Sequence, residues 1–139
     1  MMRSSRLEDC LNSPHLWFDE AASNLVTKDL EIADKFLVQA KEKKDPIDQL
    51  NTAYQAMYCA AQALLHSIQY KASGFRCMIT VLDDYFVNKG LFERGQVDHF
   101  IRAQMLEGNP TEVMTQAESF VAAAKGALNK NAAVPAGKS

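Results

Sequence analysis

The chain has 139 residues, 47% of them hydrophobic and 23% charged, with a formal net charge of -2 at pH 7. That length supports one domain with a buried core, and those proportions exclude wholesale disorder, collagen-like sequence and a disulfide-dense scaffold. The balance of 15 Lys+Arg against 17 Asp+Glu excludes steering of the whole molecule onto nucleic acid or an anionic membrane and leaves only local patches.

The opening residues, MMRSSRLEDCLNS, carry charges but no apolar run behind them, so a secretory leader is not expected. Residues 1–24 read as a short helical segment. Ser5 to Leu11 suits one helical stretch. Ser13-Pro14 suits a cap followed by Pro at the first helical position, with a short helix through Leu16, Trp17 and Phe18 whose side chains pack onto the main body. A bundle over residues 25–130 follows. Its first helix, from Leu25 or a Thr27 cap to Lys44, repeats Leu30, Ala33, Phe36, Leu37 and Ala40 on one face. Lys41, Lys43 and Lys44 suit its C-terminal dipole, and Asp45-Pro46 ends it.

Pro46 opens a second helix to about Gln69. Leu50, Ala53, Tyr54, Met57, Ala60, Ala61, Leu64, Leu65 and Ile68 wrap most of its circumference, which predicts a central helix packed on several sides. Asn51, Gln55, Gln62, His66 and Gln69 form a polar line, read either as a solvent stripe or as a polar groove or dimer seam. After a loop at Tyr70 to Gly74, a Ser73-capped helix runs to Asn88 with Gly90 at its left-handed end. A fourth helix runs from Glu93 to Glu107 with Val97, Phe100, Ile101, Met105 and Leu106 inward. Gly108-Asn109-Pro110 breaks the chain, and Thr111 caps a fifth helix to Asn129. Residues 131–139 (NAAVPAGKS) read as a flexible tail. No alternation of period two persists, so no strand is expected. The predicted fold is all-α: an antiparallel up-and-down bundle of four to five helices after a short N-terminal helical segment.

Cys10, Cys59 and Cys77 are odd in number and lack CxxC spacing, which reads as three reduced thiols of a cytoplasmic protein. His15, His66 and His99 are far apart in sequence, so no metal site is expected, and no cofactor either. GxxxxGK[ST], GxGxxG, HExxH and GxSxG are all missing. The pairs Glu8-Asp9 and Asp83-Asp84 are adjacent, about 100° apart on a helix, and do not converge as an acid and a base.

The stretch Leu50–Leu65 (LNTAYQAMYCAAQALL) resembles the central helix of HEPN domains (higher eukaryotes and prokaryotes nucleotide-binding), in their small stand-alone bacterial form. The Lys89-Gly90-Leu91 turn that follows has the same rhythm. The resemblance covers residues 25 to 130 and implies a dimeric helical bundle. Its members include ribonuclease toxins, partners of small nucleotidyltransferases in toxin–antitoxin systems, and modules that bind nucleotide or RNA. The ribonucleases carry an Arg, a gap of four to six residues, then His; the chemistry is metal-independent, with His as acid or base and Arg on the phosphate. Here Arg94 and His99 match that spacing but stand early. By rhythm the family's Arg aligns with Arg102, and no His follows it. Where the family often has a basic residue, this chain has Gln62. Tyr54, Tyr58, Gln62, His66 and Arg102 are the candidate ligand-binding residues, and Arg94 with His99 the candidate catalytic pair.

The expectation is a non-catalytic HEPN-like bundle that acts by association: a homodimer, or a partner of a nucleotidyltransferase, binding protein, nucleotide or RNA, with no membrane. The alternatives are a ribonuclease toxin using Arg94 and His99, and a helical adaptor or chaperone unrelated to nucleotides.

Overall fold

Side chains set the corners of this chain. Asp45 Oδ2 accepts the Asp48 N–H at 3.0 Å and Pro46 takes the first helical position, so a long helix begins there at once. Asn109 does the same later: its Oδ1 accepts the N–H groups of Thr111 at 2.9 Å and Glu112 at 3.3 Å. Asn109, rather than the expected Thr111, is therefore the cap, and the helix starts at Pro110.

The structure is a computed structural model that describes residues 5–132. The elements are α1 (Ser5–Leu11), β1 (Leu16–Phe18), a 3₁₀ turn (Glu20–Leu25), α2 (Val26–Glu42), α3 (Pro46–Ser67), β2 (Tyr70–Ala72), α4 (Phe75–Val81), which continues as a π-helical turn (Leu82–Val87), α5 (Arg94–Gln104) and α6 (Pro110–Ala132). The fold is an all-α bundle with one small antiparallel ribbon. Asn131 and Ala132 belong to α6, and the rest of the predicted tail lies outside the described residues.

α3 lies at the centre. It touches α2, α4, α5, α6, β2, the 3₁₀ turn and the π-helical turn. Met57, Ala60, Ala61 and Leu64 on it are fully buried. Ala33 and Ala40 meet it from α2, and Ala117, Phe120 and Ala124 come from α6. Small residues on these facing surfaces let the backbones approach closely. The apolar circumference of α3 is thus consumed within one chain, and it supplies no argument of its own for a second copy.

Several sequence expectations are corrected. The helix expected through Trp17 and Phe18 is a strand: Leu16 pairs with Ala72, Trp17 with Lys71 and Phe18 with Tyr70. Three-residue strands are too short to show a period of two. Leu16 is buried, but Trp17 is 42% and Phe18 61% exposed, so these two do not pack onto the body. Gln69, at φ 69°, turns α3 into β2. Its carbonyl accepts the Asp19 N–H at 2.7 Å and its side chain donates to the Glu20 carbonyl at 3.2 Å, which repays the left-handed backbone.

The helix expected as Gly74 to Asn88 is regular only to Val81, and its cap is Gly74 with no side-chain bond, rather than Ser73. α5 stops at Gln104, and Met105 and Leu106 are exposed rather than inward. Gly90 does take the left-handed conformation, at φ 71°.

The expectation of three reduced thiols is also overturned. Cys10 and Cys77 form a disulfide between α1 and α4, with Cα atoms 5.7 Å apart, and Cys59 alone is free. Packing of α1 on α4 brings together residues 67 apart in sequence, which no spacing rule reveals. In the chain-entropy model, closing a loop of that length stabilises the fold by on the order of 4 kcal/mol. No helix is long and apolar enough to cross a membrane among the described residues.

Ala61→Asp places a charge where the parent side chain is fully buried. The expected loss is about 3–5 kcal/mol, read as a fall in melting temperature of more than about 10 °C by circular dichroism. A melting temperature within a degree or two of the parent would contradict the central position of α3.

Candidate functional site

Arg94 is the first residue of α5, and its cap residue Glu93 contributes no side-chain bond. The guanidinium is instead held by carboxylates. Its Nη1 donates to Asp83 Oδ2, and its Nε donates to Asp98 Oδ1 at 3.2 Å, one helical turn on. Asp83 comes from the π-helical turn, with a side chain only 9% exposed. Its hydrogen bond is the main cause that pushes the Arg94 guanidinium further above its ordinary range. Arg6 of α1 approaches the same group, 3.7 Å from Asp83 Oδ2 and 3.5 Å from Asp84 Oδ1. Arginines and aspartates from three elements thus form one network, in which Asp83 Oδ1 is buried without a hydrogen bond among the described residues.

His99 stands five residues after Arg94 on the same helix, which is about 140° around the axis. Convergence would need Arg94 in the turn before the helix, and it lies inside. His99 is half-buried and its Nδ1 is buried with no hydrogen-bond partner among the described residues. Arg102 is exposed near the end of α5.

The α3 candidates divide. Tyr54 is half-buried in an aromatic cluster, stacked on Phe100 with centroids 5.7 Å apart and close to Tyr58 at 6.1 Å and Phe75 at 6.3 Å. Burial pushes its hydroxyl up to about 12. Tyr58 and Gln62 are half-buried beside it on the same helix. His66 turns the other way. It is buried, with Nδ1 donating to Asp29 Oδ2 of α2 at 2.5 Å. The polar line is therefore no solvent stripe at its C-terminal end, where a histidine–carboxylate pair joins α2 to α3. Tyr54 and Tyr58 are brought together, and His66 is used elsewhere. Near it, burial pushes the Cys59 thiol up to about 11, with Asp29 adding to the shift.

A cleft that sequence reasoning missed lies between α1 and α4. Its volume is about 450 Å³, and its lining includes Arg6, Asp9, Cys10, His15, Arg76 and Cys77. Arg76 is exposed and has no ion-pair partner among the described residues. His15 Nδ1 lies 3.3 Å from Ser73 Oγ. None of Tyr54, Tyr58, Gln62 or His66 lines this cleft. The cleft depends on the fold of the N-terminal segment onto α4, and adjacent Arg76-Cys77 was its only local sign. No group of three or more His, Cys, Asp or Glu side chains able to hold a metal ion occurs among the described residues.

Comparison with protein-family models, with curated proteins and with solved structures finds no match.

Two outcomes are expected from the site geometry. Asp83→Asn and Arg94→Gln should each destabilise by about 1–2 kcal/mol in urea unfolding, and the double variant should show a coupling of about 1 kcal/mol. Additive effects would mean that the pair does not form. Iodoacetamide at pH 8 should modify Cys59 about a hundredfold more slowly than a small reference thiol, because little thiolate is present. Labelling at the reference rate would contradict its burial.

Proposed function

We propose that this chain is a non-catalytic helical bundle of the HEPN kind that works by association with a second protein chain, in first place a copy of itself. The observation that carries this reading is the state of Arg94. A catalytic arginine must meet phosphate charge as it develops. Here the guanidinium is occupied by Asp83 and Asp98, so an incoming phosphate would have to displace two carboxylates and would meet their negative charge. His99 supports the same reading, since its Nδ1 is on the buried side and its helix position diverges from that of Arg94. Association is supported by apolar surface outside the core. Phe18, Val38, Ile47 and Met105 are all more than half exposed, and they are the apolar side chains that contact with a second chain would cover.

The test has two arms on the purified chain. Light scattering after size exclusion should return about twice the 15.5 kDa of one chain, with a nucleotide or a nucleotidyltransferase sought by mass spectrometry in the same peak. Single-stranded RNA in EDTA should stay intact with the parent and with His99→Ala. Cleavage by the parent that vanishes in His99→Ala would overturn the non-catalytic reading. A monomer at 100 μM (a concentration set for the test) would overturn self-association.

A further inference from the structure

The Cys10–Cys77 disulfide ties α1 to α4, and both of its cysteines line the cleft between these helices. Each cysteine is only 6% exposed, and the cleft is the open space that the two residues border. Arg6, Arg76 and His15 line it against Asp9 as the one lining carboxylate. Arg6 is partly engaged, at 3.5–3.7 Å from Asp84 and Asp83, whereas Arg76 has no ion-pair partner among the described residues. About 450 Å³ falls in the size range of small-molecule sites.

We propose that this cleft is a thiol–disulfide exchange site for a small thiol that carries carboxylates. The thiolate attacks one sulfur of the Cys10–Cys77 bond. A mixed disulfide forms to that cysteine, and the other leaves as a thiolate beside the arginines. A second thiolate then attacks the mixed disulfide, releasing the oxidised small disulfide and the second cysteine. Two electrons pass from the two small thiols to the protein, and solvent protonates the two cysteines. The arginines act twice: they gather the anionic reagent, and they stabilise the leaving thiolate, which speeds exchange. Reduction removes the covalent tie of α1 to α4 and leaves α1 held by noncovalent contacts, including those of Arg6. Cys59 has no part in this, since burial pushes its thiol up to about 11.

The test uses the whole oxidised protein and two probes, reduced glutathione (anionic) and cysteamine (cationic), each normalised to its rate on a small neutral disulfide. At low ionic strength glutathione should be preferred on the order of tenfold, and salt should erode the preference. Arg76→Gln, at an exposed position, should cut it to about threefold with an unchanged circular dichroism spectrum. Acid-quenched intermediates should carry glutathione on Cys10 or Cys77. The proposal is overturned by equal or faster reduction with cysteamine, by a preference that Arg76→Gln leaves intact, by adducts confined to Cys59, or by three titratable thiols rather than one in the unreduced, denatured protein.

Discussion

A helix that is apolar around most of its circumference is stable in water only when other elements enclose it. α3 imposes that condition on the whole chain. It is met by α2 and α6 along the flanks and by α5, α4 and the ribbon elsewhere. The enclosure works at close range because Ala53, Ala56, Ala60, Ala61 and Ala63 are almost completely buried. Side chains this small fill little volume, so the larger partners must come from outside α3. Phe100 and Phe120 supply them, with ring centroids 5.1 Å apart, and Phe92 extends the cluster at 5.2 Å from Phe120. Loss of the central packing would therefore release the aromatic cluster as well, rather than one helix alone.

The charges are arranged differently from the core. Lys41 with Glu118 at 2.8 Å and Lys125 with Asp34 at 2.9 Å are exposed pairs that tie α2 to α6, and such pairs contribute little to stability. Asp83 is the exception because its carboxylate is nearly withdrawn from water. A buried carboxylate needs compensation, and Arg94 is the residue that gives it. An arginine used in that way is a structural part of the join between the π-helical turn and α5, and its availability for a ligand is reduced to the same extent.

The helices were legible because their signals are local. The repeat of Leu30, Ala33, Phe36, Leu37 and Ala40, the Asp45-Pro46 corner and the left-handed Gly90 each operate within a few residues. What was not legible depended on contacts distant along the chain. Leu16 is buried and Trp17 is not because β1 pairs with β2, more than fifty residues away. His66 belongs to Asp29 for a similar reason, since only the packing of α2 on α3 brings the carboxylate to it. The cleft and the disulfide follow from the docking of α1, which has no periodic signature because it is one short helix. Arg94 and His99 were found by spacing alone, and spacing did not reveal that Asp83 would claim the arginine.

The π-helical turn has a bearing on how this chain tolerates change in length. Asn88 donates to the Asp83 carbonyl at 3.1 Å and Leu91 to that of Phe86 at 2.9 Å, both five residues back. A π-turn holds one residue more than the α-helical turn it replaces. Deleting a residue there would let the segment rewind as α-helix without breaking its hydrogen-bonded course. Because the π-turn already completes one turn with that extra residue in it, the residues after the deletion would keep their angular position relative to α4. The same deletion in the regular part of α4 would instead rotate everything after it by about 100°, turning Phe86 from the core and Asp83 from Arg94. The sites in this molecule where a deletion is tolerated are thus not simply its loops, because the π-helical turn carries one residue more than its helical course needs.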